Sequence, residues 1–124
     1  MMFEEIKKKY PKAWEKFLKC YYSEFLVQFP NADLNRMWKI DPTKNLKSQI
    51  GHLFTFFDEQ RIYIVLQDFF LTEERKTIIK WTVGHYDKDG HTLTDQELYN
   101  KQFESRPEAW QAAFTKAFEI LESK

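Results

Sequence analysis

The first 29 residues carry apolar side chains at helical spacing. The stripe runs through Phe3, Ile6, Tyr10, Trp14, Phe17, Leu18, Tyr21 and Phe25. Pro11 lacks a backbone N–H and clashes with a preceding helical turn, so the pattern predicts a short helix ending near Lys9 and a longer one beginning at Pro11. Residues 29–45 contain two prolines and several turn-forming residues. They predict an irregular connector with one helical turn from Leu34 to Trp38.

The middle of the chain changes from a helical period to an alternating one. Leu46, Ile50, Leu53 and Phe57 lie on one narrow helical face. From residue 62 onward, β-branched and aromatic residues alternate in two runs separated by the polar stretch TEERK, which predicts two strands joined by a turn. In the second run the alternation places Ile79, Trp81 and Val83 on the apolar face. A third short strand is expected around Leu98 to Phe103.

The final segment, SRPEAWQAAFTKAFEILE, has the strongest helix signature. Ser105 and Glu108 have the spacing of a capping box, and Pro107 stands in the first turn, where its missing N–H costs little. We therefore predict an α+β fold in a single domain of residues 1–124. Residues 1–45 form a helical N-terminal part, and residues 46–124 follow the order α-β-β-(β)-α, with helices packed on one face of a small antiparallel sheet.

The composition indicates the cellular compartment that is expected and argues against some classes of protein. The formal net charge is zero, with 19 basic and 19 acidic residues, which argues against a strongly electrostatic nucleic-acid binder. Cys20 is the only cysteine, so no intramolecular disulfide forms and a reducing compartment is expected. The N-terminal residues are charged throughout, unlike a signal peptide, and no apolar run approaches the ~20 residues of a membrane span. We expect a soluble, cytoplasmic protein with no membrane partner.

The stretch YDKDGHTLTDQEL, residues 86–98, resembles a calcium loop only in part. Asp87 and Asp89 match the first two ligand positions, but His91 and Thr92 stand where a third oxygen ligand and a glycine are needed, and Glu97 comes one residue early. A transition-metal site made of His85, Asp87, Asp89 and His91 is the other alternative. Asp-Lys-Asp-Gly is favourable turn chemistry, so we interpret the stretch as a hairpin turn without a metal or cofactor.

Catalytic interpretations are weaker than structural ones. Cys20 lies one helical turn after Phe17 and beside Tyr21, where a small buried or half-buried apolar side chain is expected. The paired acids Asp58-Glu59 and Glu73-Glu74 stand at element ends, where solvated turns are common. The three glycines are scattered, so no phosphate-binding loop is present. We expect a protein that is not an enzyme, although a small enzyme without recognisable motifs is a third possibility.

Two binding hypotheses remain. The abundance of aromatic residues, 18% of the chain, favours a protein-interaction module that contacts a partner, or a second copy of itself, through Trp14, Tyr21, Phe25 and Trp38. The alternative is an accessory nucleic-acid-binding protein. It would use the lysine stripe Lys12, Lys16 and Lys19 together with stacking aromatics on the sheet, which are Tyr63, Phe69 and Tyr86. Interleaved glutamates weaken the field of that stripe.

The segments IGHLFTFFDEQRIYI and FESRPEAWQAAFTKAFEILE resemble small uncharacterised proteins encoded in prophages and mobile elements of gut bacteria. The similarity covers about residues 50–122 and is weak in the middle. It consists of a helix-to-strand segment, two strands and a closing helix. The resemblance implies a phage or mobile-element origin but no activity, and it carries no catalytic or binding residues over to this chain. Residues 1–45 and the loop from Asp87 to Glu97 depart from the pattern.

Overall fold

The computed structural model describes residues 2–40, 46–86, 92–94 and 106–123. The protein has the predicted α+β class, with N-terminal helices, then strands, then a C-terminal helix. In chain order the elements are α1 (Met2–Lys9), α2 (Pro11–Tyr21), α3 (Ser23–Gln28), α4 (Leu34–Ile40), α5 (Leu46–Glu59), β1 (Ile62–Leu71), β2 (Lys76–Tyr86), β3 (Thr92–Thr94) and α6 (Arg106–Glu122).

The described strands form an antiparallel sheet in the order β1-β2-β3. Ile62 pairs with His85 at one end of the β1–β2 ladder, and Leu71 pairs with Lys76 at the other. The polar stretch between them turns the chain as predicted, and Arg75 takes a left-handed conformation there, with φ of 51°. The strand β3 was not predicted. The strand expected from Leu98 to Phe103 lies outside the described residues.

The chain also reverses direction between β2 and β3, because the two strands are antiparallel and Tyr86 pairs with Thr92. The residues of the predicted hairpin turn itself, 87–91, lie outside the described ranges. The candidate metal ligands other than His85 all belong to the stretch that is predicted to form the hairpin turn. Asp87, Asp89, His91 and Glu97 lie outside the described residues.

One face of the sheet packs against α5 and α6, and the N-terminal helices pack against these two helices from the other side. Ile79, Trp81 and Val83 are buried on the inner face of the sheet, as the alternation predicts. The side chains that α6 buries include three fully covered alanines, Ala109, Ala113 and Ala117. Because an alanine adds only a methyl group, α6 can lie close to its neighbours, and a single core joins the helices to the sheet.

Aromatic rings fill the layer between the N-terminal helices and the rest. Trp38 of α4 meets the rings of Phe3, Trp14, Phe17 and Tyr21 at centroid distances of 5.2 to 5.6 Å, all near perpendicular. Phe17 extends the cluster to α5 and α6, because it contacts Phe56 at 5.3 Å and Phe118 at 6.0 Å. Edge-to-face pairs are worth ~0.5–1.5 kcal/mol beyond the area they bury. The cluster therefore joins five helices: α1, α2, α4, α5 and α6.

A long-range helix cap connects the two ends of the described chain. The carboxylate of Glu122 accepts hydrogen bonds from the backbone N–H groups of Ala13, at 2.7 Å, and Lys12, at 3.4 Å. These groups belong to the first turn of α2, where no earlier helical carbonyl is available. The residue before the helix, Tyr10, provides no side-chain cap. A carboxylate at this helix end also interacts favourably with the helix dipole.

Replacing Glu122 by Ala should destabilise the protein by about 0.5–2 kcal/mol, the usual cost of losing an N-terminal cap. Urea unfolding followed by circular dichroism measures the change. Glu119→Ala is the matched control. Glu119 makes an ion pair with Lys116 within α6, and a pair of this kind contributes about 0.5 kcal/mol or less. Equal losses in the two variants would show that the Glu122 cap contributes nothing specific.

Candidate functional site

Two of the four predicted partner contacts are core residues. Trp14 is 3% exposed and Trp38 is 7% exposed, and both belong to the aromatic cluster described above. Their rings have no surface left to offer a partner. The prediction assigned them to an interface because so many aromatic residues appeared to exceed one small core. The three helices that meet at Trp38, which are α1, α2 and α4, bury more rings than that estimate allowed.

The indole of Trp14 has its polar partner inside the protein. Its Nε1–H donates to Oδ1 of Asn35 at 2.8 Å. Asn35 lies on α4, so the bond ties the connector helix to α2. A buried Trp N–H normally finds such a partner, because an unsatisfied donor is costly.

The other two predicted contacts lie nearer the surface. Tyr21 is half-buried and packs against Trp38 and the His52 ring, at centroid distances of 5.4 and 4.9 Å. Phe25 is 38% exposed, and its ring stacks on Phe29 at 4.8 Å with an interplanar angle of 29°. Of the four candidates, Phe25 alone therefore combines exposure with an apolar neighbour that is itself exposed.

The stacked pair forms one wall of an open groove of about 710 Å³ between α3 and α4. The opposite wall is made by Met37 and Ile40, and Ile40 is 72% exposed although it is a large aliphatic residue. Phe29 is 54% exposed. The other residues that line the groove are Gln28, Pro30, Asn31, Ala32, Asp33 and Arg36. We call this set of residues the α3–α4 groove.

The sequence of α4 contains a signal for this groove, although the predicted contacts did not include it. In α4, Leu34 and Trp38 are four residues apart and face the core. Met37 and Ile40 are three residues apart, so helical geometry places them on a neighbouring face. A seven-residue connector helix needs only one apolar face for anchoring. The second face indicates a surface that is apolar without being part of the core.

Positive charge borders the groove. Arg36 stands one turn before Ile40, and Lys39 lies further round α4 on the same side. Both side chains are exposed, and within the described part of the chain neither forms an ion pair. The acid that lines the groove, Asp33, is engaged at the start of α4, where its Oδ1 accepts the backbone N–H of Arg36 at 3.2 Å.

A second cleft of about 680 Å³ lies between α2 and the chain from Leu26 to Asn35. Its charged groups include Lys7, Lys19 and Glu15. Lys19 is paired with Glu15 at 3.1 Å, and both side chains are exposed. The cleft therefore carries a solvated ion pair and no set of convergent buried polar groups among its lining residues, which is less than a small-molecule site requires.

The residues of the nucleic-acid alternative lie on separate surfaces. Lys12, Lys16 and Lys19 are exposed on α2. Tyr63 is exposed on the face of β1 that points away from the core. Because α2 packs on α5 and α6, and these pack on the inner face of the sheet, the lysine stripe and the outer face of the sheet are on opposite sides of the protein. The side chains of Phe69 and Tyr86 lie outside the described part.

Cys20 and the acidic pairs do not combine into a catalytic group. The Cys20 thiol donates to Oε2 of Glu59 at 3.5 Å. Burial, and then the negative charge and hydrogen bond of Glu59, raise the pKa of the Cys20 thiol. A nucleophilic cysteine needs the opposite shift, because the thiolate is the reactive form. The acids Asp58, Glu59, Glu73 and Glu74 are all exposed.

Within residues 2–40, 46–86, 92–94 and 106–123, no three His, Cys, Asp or Glu side chains come together where they could hold a metal ion. No helix in those same ranges combines the length and apolar character needed to cross a membrane. No protein-family model, curated protein or solved structure matches the chain.

Replacing Asn35 by Ala should destabilise the protein by about 1–3 kcal/mol, because it leaves the buried N–H of Trp14 without an acceptor. Chemical unfolding measures the loss. Asn31→Ala, an exposed Asn→Ala change in the same connector, provides the control and should shift stability by less than about 0.5 kcal/mol. A neutral Asn35→Ala variant would contradict the role given to the hydrogen bond.

Replacing Glu59 by Gln should lower the pKa of Cys20 and speed alkylation of its thiol by iodoacetamide at pH 8. The physical reason is the loss of the negative charge that disfavours the thiolate. Asp58→Asn removes a neighbouring exposed charge and should leave the rate nearly unchanged. Identical rates in wild-type protein and Glu59→Gln would contradict the proposed coupling.

The raised pKa of the Cys20 thiol also affects the stability of the folded protein at alkaline pH. The folded-state pKa of Cys20 lies above its ordinary value of 9.0. The stabilising contribution of the protonated thiol is therefore complete below pH 9 and is lost as the pH rises through the folded-state pKa. In a Cys20→Ser variant this part of the alkaline decline should be absent, as urea midpoints between pH 8 and 11 would show.

Proposed function

We propose that this protein is a non-enzymatic interaction module that binds a short segment of another protein in the α3–α4 groove. The observation that carries the proposal is the exposure of Phe29 and Ile40 on facing walls of one concave surface. Burying a large apolar side chain gains about 1.5–3 kcal/mol. Phe29 and Ile40 are left uncovered in the groove, so a partner that covered them would gain this free energy on binding.

The shape of this surface distinguishes it from the other exposed apolar residues. Val65 and Phe70 are also exposed, at 50% and 64%, but they lie five residues apart on β1 and therefore point to opposite faces of the sheet. Val65 shares its face with the exposed Tyr63, and none of the three lines the groove. Val27 is exposed alone on α3, away from the groove. Single exposed apolar residues are common on protein surfaces, whereas a contiguous patch marks an interaction site.

The groove is anchored firmly enough to act as a preformed site. Asn35 fixes α4 to the Trp14 indole, and Asp33 caps its first turn. The wall on α3 is stiffened by the stacking of Phe25 on Phe29. Preformed walls reduce the ordering entropy that a partner must overcome when it binds. The origin in a prophage or mobile element, which the resemblance implies, stays a prediction.

Selection from a random peptide library tests the function. Peptides of 16 residues displayed on phage are selected on the wild-type protein, and binding is then measured by fluorescence anisotropy. We expect enriched peptides with micromolar affinity. Phe29→Asp should weaken them at least about tenfold, the effect of losing a central apolar contact.

Val27→Asp is the matched control, because it adds the same charge two residues earlier, on α3, at an exposed position outside the groove. It should leave affinity unchanged. Selected peptides that bind both variants equally well, or the absence of any enriched peptide, would contradict the function. Light scattering completes the test. If the wild-type protein is a dimer and Phe29→Asp is a monomer, the groove holds a second copy and the proposal of another protein as partner is wrong.

A further inference from the structure

The charged residues around the α3–α4 groove indicate which kind of partner segment binds there. The walls give the apolar part of the recognition, as described above. The rim adds Arg36 and Lys39, two exposed cations that form no ion pair within the described residues. Two other exposed basic residues are paired with an acid, Lys19 with Glu15 and Arg106 with Asp68. Among the described residues, the rim thus has two positive charges and the groove lining has one negative charge, that of Asp33, so the net charge there is positive.

The order of side chains around α4 places this charge at one edge of the apolar surface. Successive residues on a helix are separated by 100°, so Met37, Ile40, Arg36 and Lys39 follow one another around its circumference. A partner that covers Met37 and Ile40 must bring its own next row of side chains close to Arg36. A carboxylate in that row would gain an ion pair at the rim, whereas a lysine would be repelled.

The dimensions of the groove set the length of the segment. The helix α4 has seven residues, which correspond to about 10 Å, or two helical turns. Two turns of a bound helix present apolar side chains at positions i, i+3 or i+4, and i+7, the pattern by which amphipathic helices bind hydrophobic grooves. A groove of about 710 Å³ has room for such a row of side chains.

We propose that the α3–α4 groove receives an acidic amphipathic helix of another protein, about two turns long, with Asp or Glu side chains facing Arg36 and Lys39. This inference rests on the interaction function proposed above. The apolar row of the helix lies between the Phe25–Phe29 pair and the Met37–Ile40 wall. The carboxylates lie along the outer edge of α4. The contact selects against basic helices of the same apolar pattern.

A helical peptide library with a designed charge choice tests the proposal. The apolar positions i, i+4 and i+7 carry Leu, Phe, Ile or Met, and each flanking position carries Glu, Gln or Lys in equal proportion. The library is selected on three proteins: the wild type, the double variant Arg36→Glu/Lys39→Glu, and the control Lys8→Glu/Lys16→Glu. The control changes the net charge by the same amount at exposed positions outside the groove.

We expect Glu to be enriched at the flanking positions on the wild type and on the control, and Lys to be enriched on the double variant. Individual acidic peptides should bind the wild type at least about tenfold more tightly than their Gln versions at 50 mM salt. The difference should shrink at 500 mM salt, because rim charges are screened.

The possible failures are distinguishable. Peptides that depend on Phe29 but show no preference for Glu would overturn the acidic partner while the interaction function stands. Enrichment of Glu that persists on the double variant would place the charge recognition elsewhere and also overturn it. If no peptide binds the wild type better than Phe29→Asp, both the acidic helix and the interaction function are wrong.

Discussion

The structure depends on the ring contacts between Phe17, Trp38 and Phe118, because they join elements that are far apart in the chain. Phe17 lies on α2, Trp38 on the connector helix, and Phe118 on the last helix. None of the three helices is long enough to be stable alone in water, apart from marginal helicity in α6. Their amphipathic faces become stable only when these rings are buried against one another. The sheet, the groove and the cap at Glu122 all follow from that packing.

Much of the fold could be predicted, because its signals are local. The break at Pro11, the helical stripe ending at Phe57 and the alternation through Trp81 each depend on a few neighbouring residues, and the structure agrees with all three. The strand β3 was missed because three residues with two threonines give too short a pattern to recognise. The left-handed Arg75 was equally invisible, since a sequence usually marks such a position with Gly or Asn.

The candidate site was predicted only in part, for a different physical reason. Burial is a property of the whole assembly, and nothing near Trp14 or Trp38 shows how many rings from distant segments will cover them. Phe25 is exposed, as a partner contact requires, whereas its neighbours in the groove, Phe29 and Ile40, were not among the predicted contacts. The groove arises from the angle between two short helices, which no periodicity encodes. The charge at Arg36 becomes informative only once its position beside the groove is known.

The bond from Glu122 to the start of α2 has a consequence for synthesis of the protein. The two partners, Ala13 and Glu122, are separated by 109 positions. On the ribosome, α2 emerges early, yet its capping carboxylate and the Phe118 ring arrive only when the last helix has left the exit tunnel. Contacts of such long sequence separation form late and slow the folding reaction. The nascent N-terminal helices therefore expose their aromatic rings until α6 has been synthesised, and a chaperone that shields such surfaces would find its binding sites there.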